Sequence, residues 1–178
     1  MRYAVTLLAL ALMCGSVHAS RDWPEDYDAH FRKYTKRYFG PNFDWRWFKA
    51  QAIAESSLKP DAQSHVGAVG IMQIMPATFA EIRAKNPHYT DISDPRWNIA
   101  AGIYYDRYLY RQKSWAGLSD YEKLCLTFAG YNAGLGGALK AKRRTPPPAD
   151  RWEHIRPQAP KETQNYVARI QRFKQELE

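Results

Sequence analysis

The sequence predicts a mainly α-helical protein, and three observations carry that prediction. Apolar residues recur at helical spacing in successive segments, capping and breaking signals bracket those segments, and no alternating run is long enough for a real sheet. With 178 residues, 45% of them hydrophobic, the chain has the length of one domain built on one core. No internal repeat divides it.

Residues 1–19 read as a secretory signal. Met1-Arg2 carries the charge, Tyr3 to Cys14 is a short apolar run, and Val17-His18-Ala19 supplies a small-residue cleavage site. The run is too short to span a bilayer. A lipid anchor at Cys14 fits less well, because Met13 before it is bulkier than a lipobox allows. One domain is then expected over 20–178. Tyr27, Phe31, Tyr34 and Tyr38 mark a first helix that Gly40-Pro41 stops. A second runs from Asp44, as N-cap, through Trp45, Phe48, Ala52 and Ile53, and must end before Pro60. Glu55 falls near its C-terminal end. Residues 61–75 contain Gly67 and Gly70 and no helical period, so they form a loop or small ribbon before Pro76 opens the next helix. Asp94-Pro95 introduces a helix bearing Ile99, Ile103, Tyr104 and Tyr108. Ser119-Asp120-Tyr121-Glu122 is a capping box ahead of Leu124, Leu126 and Phe128, in a helix expected to close at Asn132-Ala133-Gly134. Pro146, Pro147 and Pro148 make a stiff spacer, and the last helix sets Tyr166, Ile170, Phe173 and Leu177 on one face.

Lys and Arg number 26 against 18 Asp and Glu, a formal charge of +8 that falls to +7 when Arg2 leaves with the signal. Outside the cytoplasm such a balance suits anionic wall polymers or membrane surfaces, and equally suits plain solubility. Six Trp and twelve Tyr are a heavy aromatic share; pyranose rings stack on such faces, although core packing accounts for most of them. Once Cys14 is removed, Cys125 has no internal partner, and its setting in Lys123-Leu124-Cys125-Leu126 reads as core rather than nucleophile. The sequence has no metal-ligand cluster, phosphate loop or dinucleotide fingerprint, so no cofactor is expected. It has no helix-turn-helix or zinc finger, so no nucleic-acid partner is expected either.

Glu55 follows Ala52, Ile53 and Ala54, so its carboxylate leaves an apolar helix face, where desolvation raises a carboxyl pKa. A general acid working near neutral pH needs that rise, because the ordinary Glu value of about 4.3 leaves no proton to give. Alone, a Glu at a helix end is more often a solvated charge. Four ordered segments change its weight: Glu55-Ser56; Gly70-Ile71-Met72-Gln73-Ile74-Met75-Pro76-Ala77-Thr78; Ala129-Gly130-Tyr131-Asn132-Ala133-Gly134; and Glu162-Thr163-Gln164-Asn165-Tyr166-Val167. With the helix that begins at Asp94-Pro95, they resemble the motifs of the soluble lytic transglycosylase family over nearly all of the stretch from Trp45 to Val167.

That resemblance implies a lysozyme-like (goose-type/SLT) helical domain with a substrate cleft between lobes. It implies Glu55 as the catalytic acid, Ser56 near the polar groups of the sugar, and Met72 and Gln73 lining the cleft. Tyr131 and Asn132 would contact sugar or hold the cleft wall, and Tyr166 would bring its hydroxyl to the catalytic carboxylate. Plainer readings stand beside these: Ser56 a helix-end cap, Met72 core, Gln73 a donor to backbone, Asn132 a left-handed C-cap, Tyr166 a packed aromatic. Gly67 and Gly70 would let backbone approach a ligand or turn with positive φ. His65 and Leu135 stand where the family often has proline, which bears on loop rigidity more than on chemistry.

Most glycosidases use two carboxylates, and near Glu55 the sequence offers only Asp61, in a turn after Pro60, and Glu81, on the exposed side of a helix. One carboxylate suffices if the C6 hydroxyl of N-acetylmuramic acid attacks its own C1, giving a 1,6-anhydromuramoyl end. Glu55 then serves first as acid and afterwards as base. Intramolecular attack reaches effective molarities of about 10⁵ M or more, so positioning replaces a second catalytic group. A goose-type lysozyme would hydrolyse the same bond and would need a cleft aspartate, with Asp61 the nearest candidate. A non-catalytic wall-binding module is the alternative from another class. The resemblance implies peptidoglycan glycan strands as partner, an envelope or periplasmic location and a monomer. A secretion or conjugation machine, or other envelope proteins, fit the same reading as further partners.

Overall fold

The computed structural model describes residues 22–178; the expected signal, its cleavage after Ala19 and Cys14 lie outside the described residues. Helix α1 (Asp28–Phe39) buries Phe31, Tyr34 and Thr35 and stops at Gly40. Helix α2 spans Arg46–Ser56. Trp45, not Asp44, holds its cap position, but the Asp44 carboxylate still does a cap's work, its Oδ1 accepting from the Arg46 amide at 3.0 Å. Segment 57–75 folds into a ribbon, with isolated bridges pairing Gln63 with Val69 and Val69 with Ile74. Pro76 opens α3 (Pro76–Lys85). Asp94 caps α4 (Pro95–Tyr110), its Oδ1 accepting from the Arg96 amide at 2.8 Å.

Helix α5 runs Asp120–Arg144. Ser119 Oγ accepts from the Glu122 amide at 3.3 Å, as a capping box requires, but the Glu122 carboxylate turns away to accept from the Trp152 amide. The expected stop at residues 132–134 is half right. Gly134 breaks the helical geometry with φ 74° and ψ 154°, a conformation open to glycine, and the helix resumes at once and continues to Arg144. Asn132 is therefore no left-handed cap; the positive φ belongs to Gly134. A short α6 (Trp152–Ile155), which periodicity is too brief to reveal, precedes α7 (Lys161–Glu176).

Helix α2 packs along α7 and against α1, α4 bridges α1 and α5, and α5 closes on α7 around one cluster of buried side chains. Cys125 is buried there, its thiol pushed up to about 12 mainly by burial, as inert core sulfur should be. No described helix is long and apolar enough to cross a membrane.

Candidate active site

The packing of α2 on α7 brings Glu55 to Tyr166. Tyr166, 2% exposed on the inner face of α7, donates from its hydroxyl to Glu55 Oε1 at 2.5 Å. Glu55 is partly buried, and burial pushes its carboxyl up to about 7 against the lowering effects of the Tyr166 bond and the Arg169 charge. Arg169, one turn on from Tyr166, reaches back to donate to the Ala54 carbonyl at 3.4 Å. A carboxyl held near 7 is half protonated at neutral pH, able both to give and to take a proton.

The ribbon beside Glu55 is fixed by side chains from three helices. Ser56 Oγ donates to the Ile71 carbonyl at 2.9 Å, tying the end of α2 to the ribbon. Tyr131, on α5, donates to the Met72 carbonyl at 2.8 Å, and its ring meets Tyr105 of α4 edge-on at 5.5 Å. Asn98, fully buried on α4, accepts from the Met72 amide at 2.7 Å and donates to the carbonyls of Val69 and Ile92, each at 2.9 Å. Gly70 has φ 77°, and a Cβ there would lie 2.5 Å from Asn98 Nδ2. The positive φ and the close approach to Asn98 both require glycine at this position.

The sequence-derived site residues separate accordingly. Glu55, Ser56, Gln73, Tyr131, Asn132 and Tyr166 gather where α2, the ribbon, α5 and α7 meet. Gln73 has φ 48° and donates from Nε2 to the carbonyls of Gly70 at 2.9 Å and Ala62 at 3.1 Å, so its amide holds the turn. Asn132 is exposed and accepts from the Thr163 hydroxyl at 2.7 Å, linking α5 to the start of α7. Met72 is corrected: its side chain is fully buried and seated on Gly102, where a Cβ would come within 2.8 Å of it, so it packs the core and only its backbone faces the site residues. Asp61 and Glu81 are both exposed.

Two residues escaped the sequence reading. Asn98 stands in the sequence only as one residue of the helix that begins at Asp94-Pro95, and Asp106, a fully buried carboxyl on α4 bonded to Gln51 of α2, belongs to none of the four motif segments. Its register was the available signal: Asp106 stands seven residues after Ile99 and three after Ile103, on the stripe that α4 buries.

A family model described as the transglycosylase SLT domain matches residues 31–153. The membrane-bound lytic murein transglycosylase F of Vibrio campbellii is 28% identical over 168 residues, taking in 83% of this chain and 29% of that protein. The Pasteurella multocida protein of the same name is 35% identical over 104 residues, 58% of this chain and 20% of that one. The chain thus spans less than a third of the length of these relatives. The crystal structure of the 70-kDa soluble lytic transglycosylase from Escherichia coli matches with a TM-score of 0.67 at 26% identity, over 86% of this chain and 24% of that one. The architecture is the lysozyme-like helical fold, as the motifs implied. By its fold and by a match over most of its length, the chain belongs to the transglycosylase SLT domain family.

Proposed function

We propose that the chain is exported and cleaves the bond between N-acetylmuramic acid and N-acetylglucosamine in peptidoglycan without water. The observation that carries this reading is the Glu55 carboxyl, pushed up to about 7 beside the Tyr166 hydroxyl. Glu55 gives its proton to the bridging oxygen as the bond to muramic C1 breaks. The muramic C6 oxygen then bonds to C1, and its proton passes to the Glu55 carboxylate, which returns the acid to its starting state. The product is a 1,6-anhydromuramoyl end, and no cofactor takes part.

Supporting a single-carboxylate mechanism, Asp61 and Glu81 are solvent-exposed, and Asp106 is fully buried and bonded to Gln51. Ser56, Gln73 and Tyr131 fix the ribbon that forms one wall, and Asn132, exposed where α5 is tied to α7 through Thr163, is free to meet the glycan. Digestion of purified sacculi in ¹⁸O-water, with mass spectrometry of the released ends, tests the reaction. Anhydro ends without label are expected. Labelled reducing ends would point to a goose-type hydrolase, and binding without release to a wall-binding module. Export is tested on envelope protein, whose mature mass should correspond to a start at Ser20.

A further inference from the structure

A second carboxyl lies beneath the site, and the proposed reaction does not use it. Asp106 is fully buried on α4, and Gln51, equally buried on α2 one turn before Glu55, donates from Nε2 to Asp106 Oδ1 at 3.2 Å. The second oxygen of each group, Asp106 Oδ2 and Gln51 Oε1, has no hydrogen-bond partner. If Asp106 is ionised, both atoms are acceptors and neither can satisfy the other, so two buried polar atoms go unpaired beside an uncompensated charge. One proton on Oδ2 removes all three difficulties, because Oδ2–H can then donate to Oε1.

We propose that Asp106 is held as a neutral carboxylic acid in a ring of two hydrogen bonds with the Gln51 amide, and that this ring braces the turn of α2 that carries Glu55. The surroundings favour the neutral form. From α2 the facing titratable group is Glu55, whose negative charge opposes a second one. Tyr105 of α4, Tyr131 of α5 and Tyr166 of α7 all sense the Asp106 carboxyl, and none brings a positive charge. On α1, which packs against α4, the buried polar groups are the uncharged Tyr34 and Thr35. The buried cations are engaged elsewhere, Lys49 with Asp28 at 2.6 Å and Lys174 with Asp44 and Glu178 at 3.0 and 2.6 Å. Burial therefore drives the Asp106 carboxyl well above its usual range against the lowering pull of the Gln51 bond, with the Glu55 charge adding to the rise.

Neutrality is tested without reference to the proposed reaction. Infrared spectra at neutral pH are compared for Glu55→Gln, which removes the other raised carboxyl, and for Glu55→Gln with Asp106→Asn. A protonated-carboxyl carbonyl band present in the first and absent from the second is expected; its absence from both overturns the proposal. Melting temperature gives an independent reading. A carboxyl raised in the folded state lends stability that is complete below its unfolded value of about 3.9 and is lost as pH rises, whereas an asparagine amide keeps both bonds at every pH. Asp106→Asn should gain on the wild type steadily from pH 4 to pH 8, and parallel curves, or a variant that loses ground, overturn the idea.

The brace rests on the proposed function and is read from turnover of sacculi. Asp106→Leu leaves the Gln51 amide unpaired beneath Glu55 and should lower kcat roughly ten-fold or more with little change in KM, while Asp106→Asn restores it. In Asp106→Asn the alkaline limb of the pH–rate profile should stay where the wild type has it. A limb moved to lower pH would mean that an ionised Asp106 had been raising Glu55, and a wild-type kcat in Asp106→Leu would overturn the brace. If the wild type itself does not cleave sacculi, the proposed function fails, and the infrared and melting experiments still decide the protonation of Asp106.

Discussion

Helix α2 meets α7 at both of its ends, and each meeting is made by a carboxyl. At the start of α2, Asp44 Oδ2 lies 3.0 Å from Lys174 Nζ and its Oδ1 lies 2.9 Å from Arg46 Nε. At the end of α2, Glu55 Oε1 accepts from the Tyr166 hydroxyl at 2.5 Å. Both carboxyls are partly buried, and in both burial is the largest influence and pushes the pKa up. At Asp44 the bonds to Arg46 and Lys174 outweigh burial and hold the carboxyl below its usual range. At Glu55 a neutral phenol and the Arg169 charge are too weak to do so, and the carboxyl rises to about 7. One helix pair thus makes a structural ion pair at one end and a raised carboxyl at the other. What separates them is the formal charge of the partner that touches the carboxylate.

The largest effect that would break this contrast is expected from Glu55→Gln. The amide keeps the shape and can still accept from Tyr166, but it has no proton to deliver, so cleavage of sacculi should fall by at least about 10²–10⁴-fold while the circular dichroism stays that of the wild type. Stability should move the other way as pH rises. A folded-state value raised from 4.5 to about 7 gives stability that is complete below about 4.5 and is lost as pH climbs through 7. The wild type should therefore lose up to about 3 kcal/mol more over that window than the glutamine variant, which keeps every other titrating group. Denaturant unfolding at pH 4.5 and pH 8 measures the difference; equal losses in both proteins would mean that Glu55 carries no raised carboxyl. Wild-type turnover should likewise decline as pH rises through about 7, as the acid form disappears.

Tyr166 sharpens the comparison, because its ring and its hydroxyl act on Glu55 in opposite senses. Tyr166→Ala removes a buried ring and should cost about 3–5 kcal/mol of stability, admit water to Glu55 and move the alkaline limb of activity to lower pH. Tyr166→Phe keeps the ring and loses one hydrogen bond, so it should cost about 1 kcal/mol and move the limb to higher pH, since the bond it removes had been lowering the carboxyl. Limbs that shift in opposite directions are the expected result. If both stay at the wild-type pH, Tyr166 is only a packed aromatic.

The two ends of α2 also differ in how far the sequence reveals them. Glu55 and Tyr166 sit in recognisable motifs, and the apolar run of Ala52, Ile53 and Ala54 already suggests a desolvated carboxyl. Asp44 shows itself only as a cap, because its partner Lys174 is 130 residues away and helical periodicity says nothing about which helix faces which. The same blindness hid Asp106 with Gln51, a pair that exists only after α2 and α4 are packed. Motifs carry the identity of site residues better than their work. Ser56, Gln73 and Tyr131 spend hydrogen bonds on the ribbon backbone, and Met72 fills the core, so four of the seven residues singled out from the motifs hold the ribbon beside Glu55 or pack beneath it. The break at Gly134 was readable because glycine alone favours that φ, whereas the resumption of α5 beyond it depends on tertiary burial of Ala138 and Ala141.

The smallest effect is expected at the ion-paired end. Asp44→Asn removes a partly exposed charge from Lys174, which keeps Glu178 at 2.6 Å, so the cost at neutral pH should be about 1 kcal/mol after solvent screening. Its pH dependence should mirror that of Glu55→Gln. A carboxyl held below its usual range gives stability that is complete above about 3.9 and is lost as pH falls through its folded value. The deficit of Asp44→Asn should therefore be present at pH 7 and vanish in acid, where the wild type loses the same contribution. Cleavage of sacculi and its alkaline limb should stay at wild-type values, because the substitution lies at the far end of α2 from the acid. Urea unfolding at pH 7 and pH 2.5, with turnover measured across pH, checks both statements. A deficit that persists in acid would assign Asp44 to helix capping through the Arg46 amide rather than to charge pairing. A shifted activity limb would show that the two ends of α2 are coupled through the helix, and the contrast between them would then have to be given up.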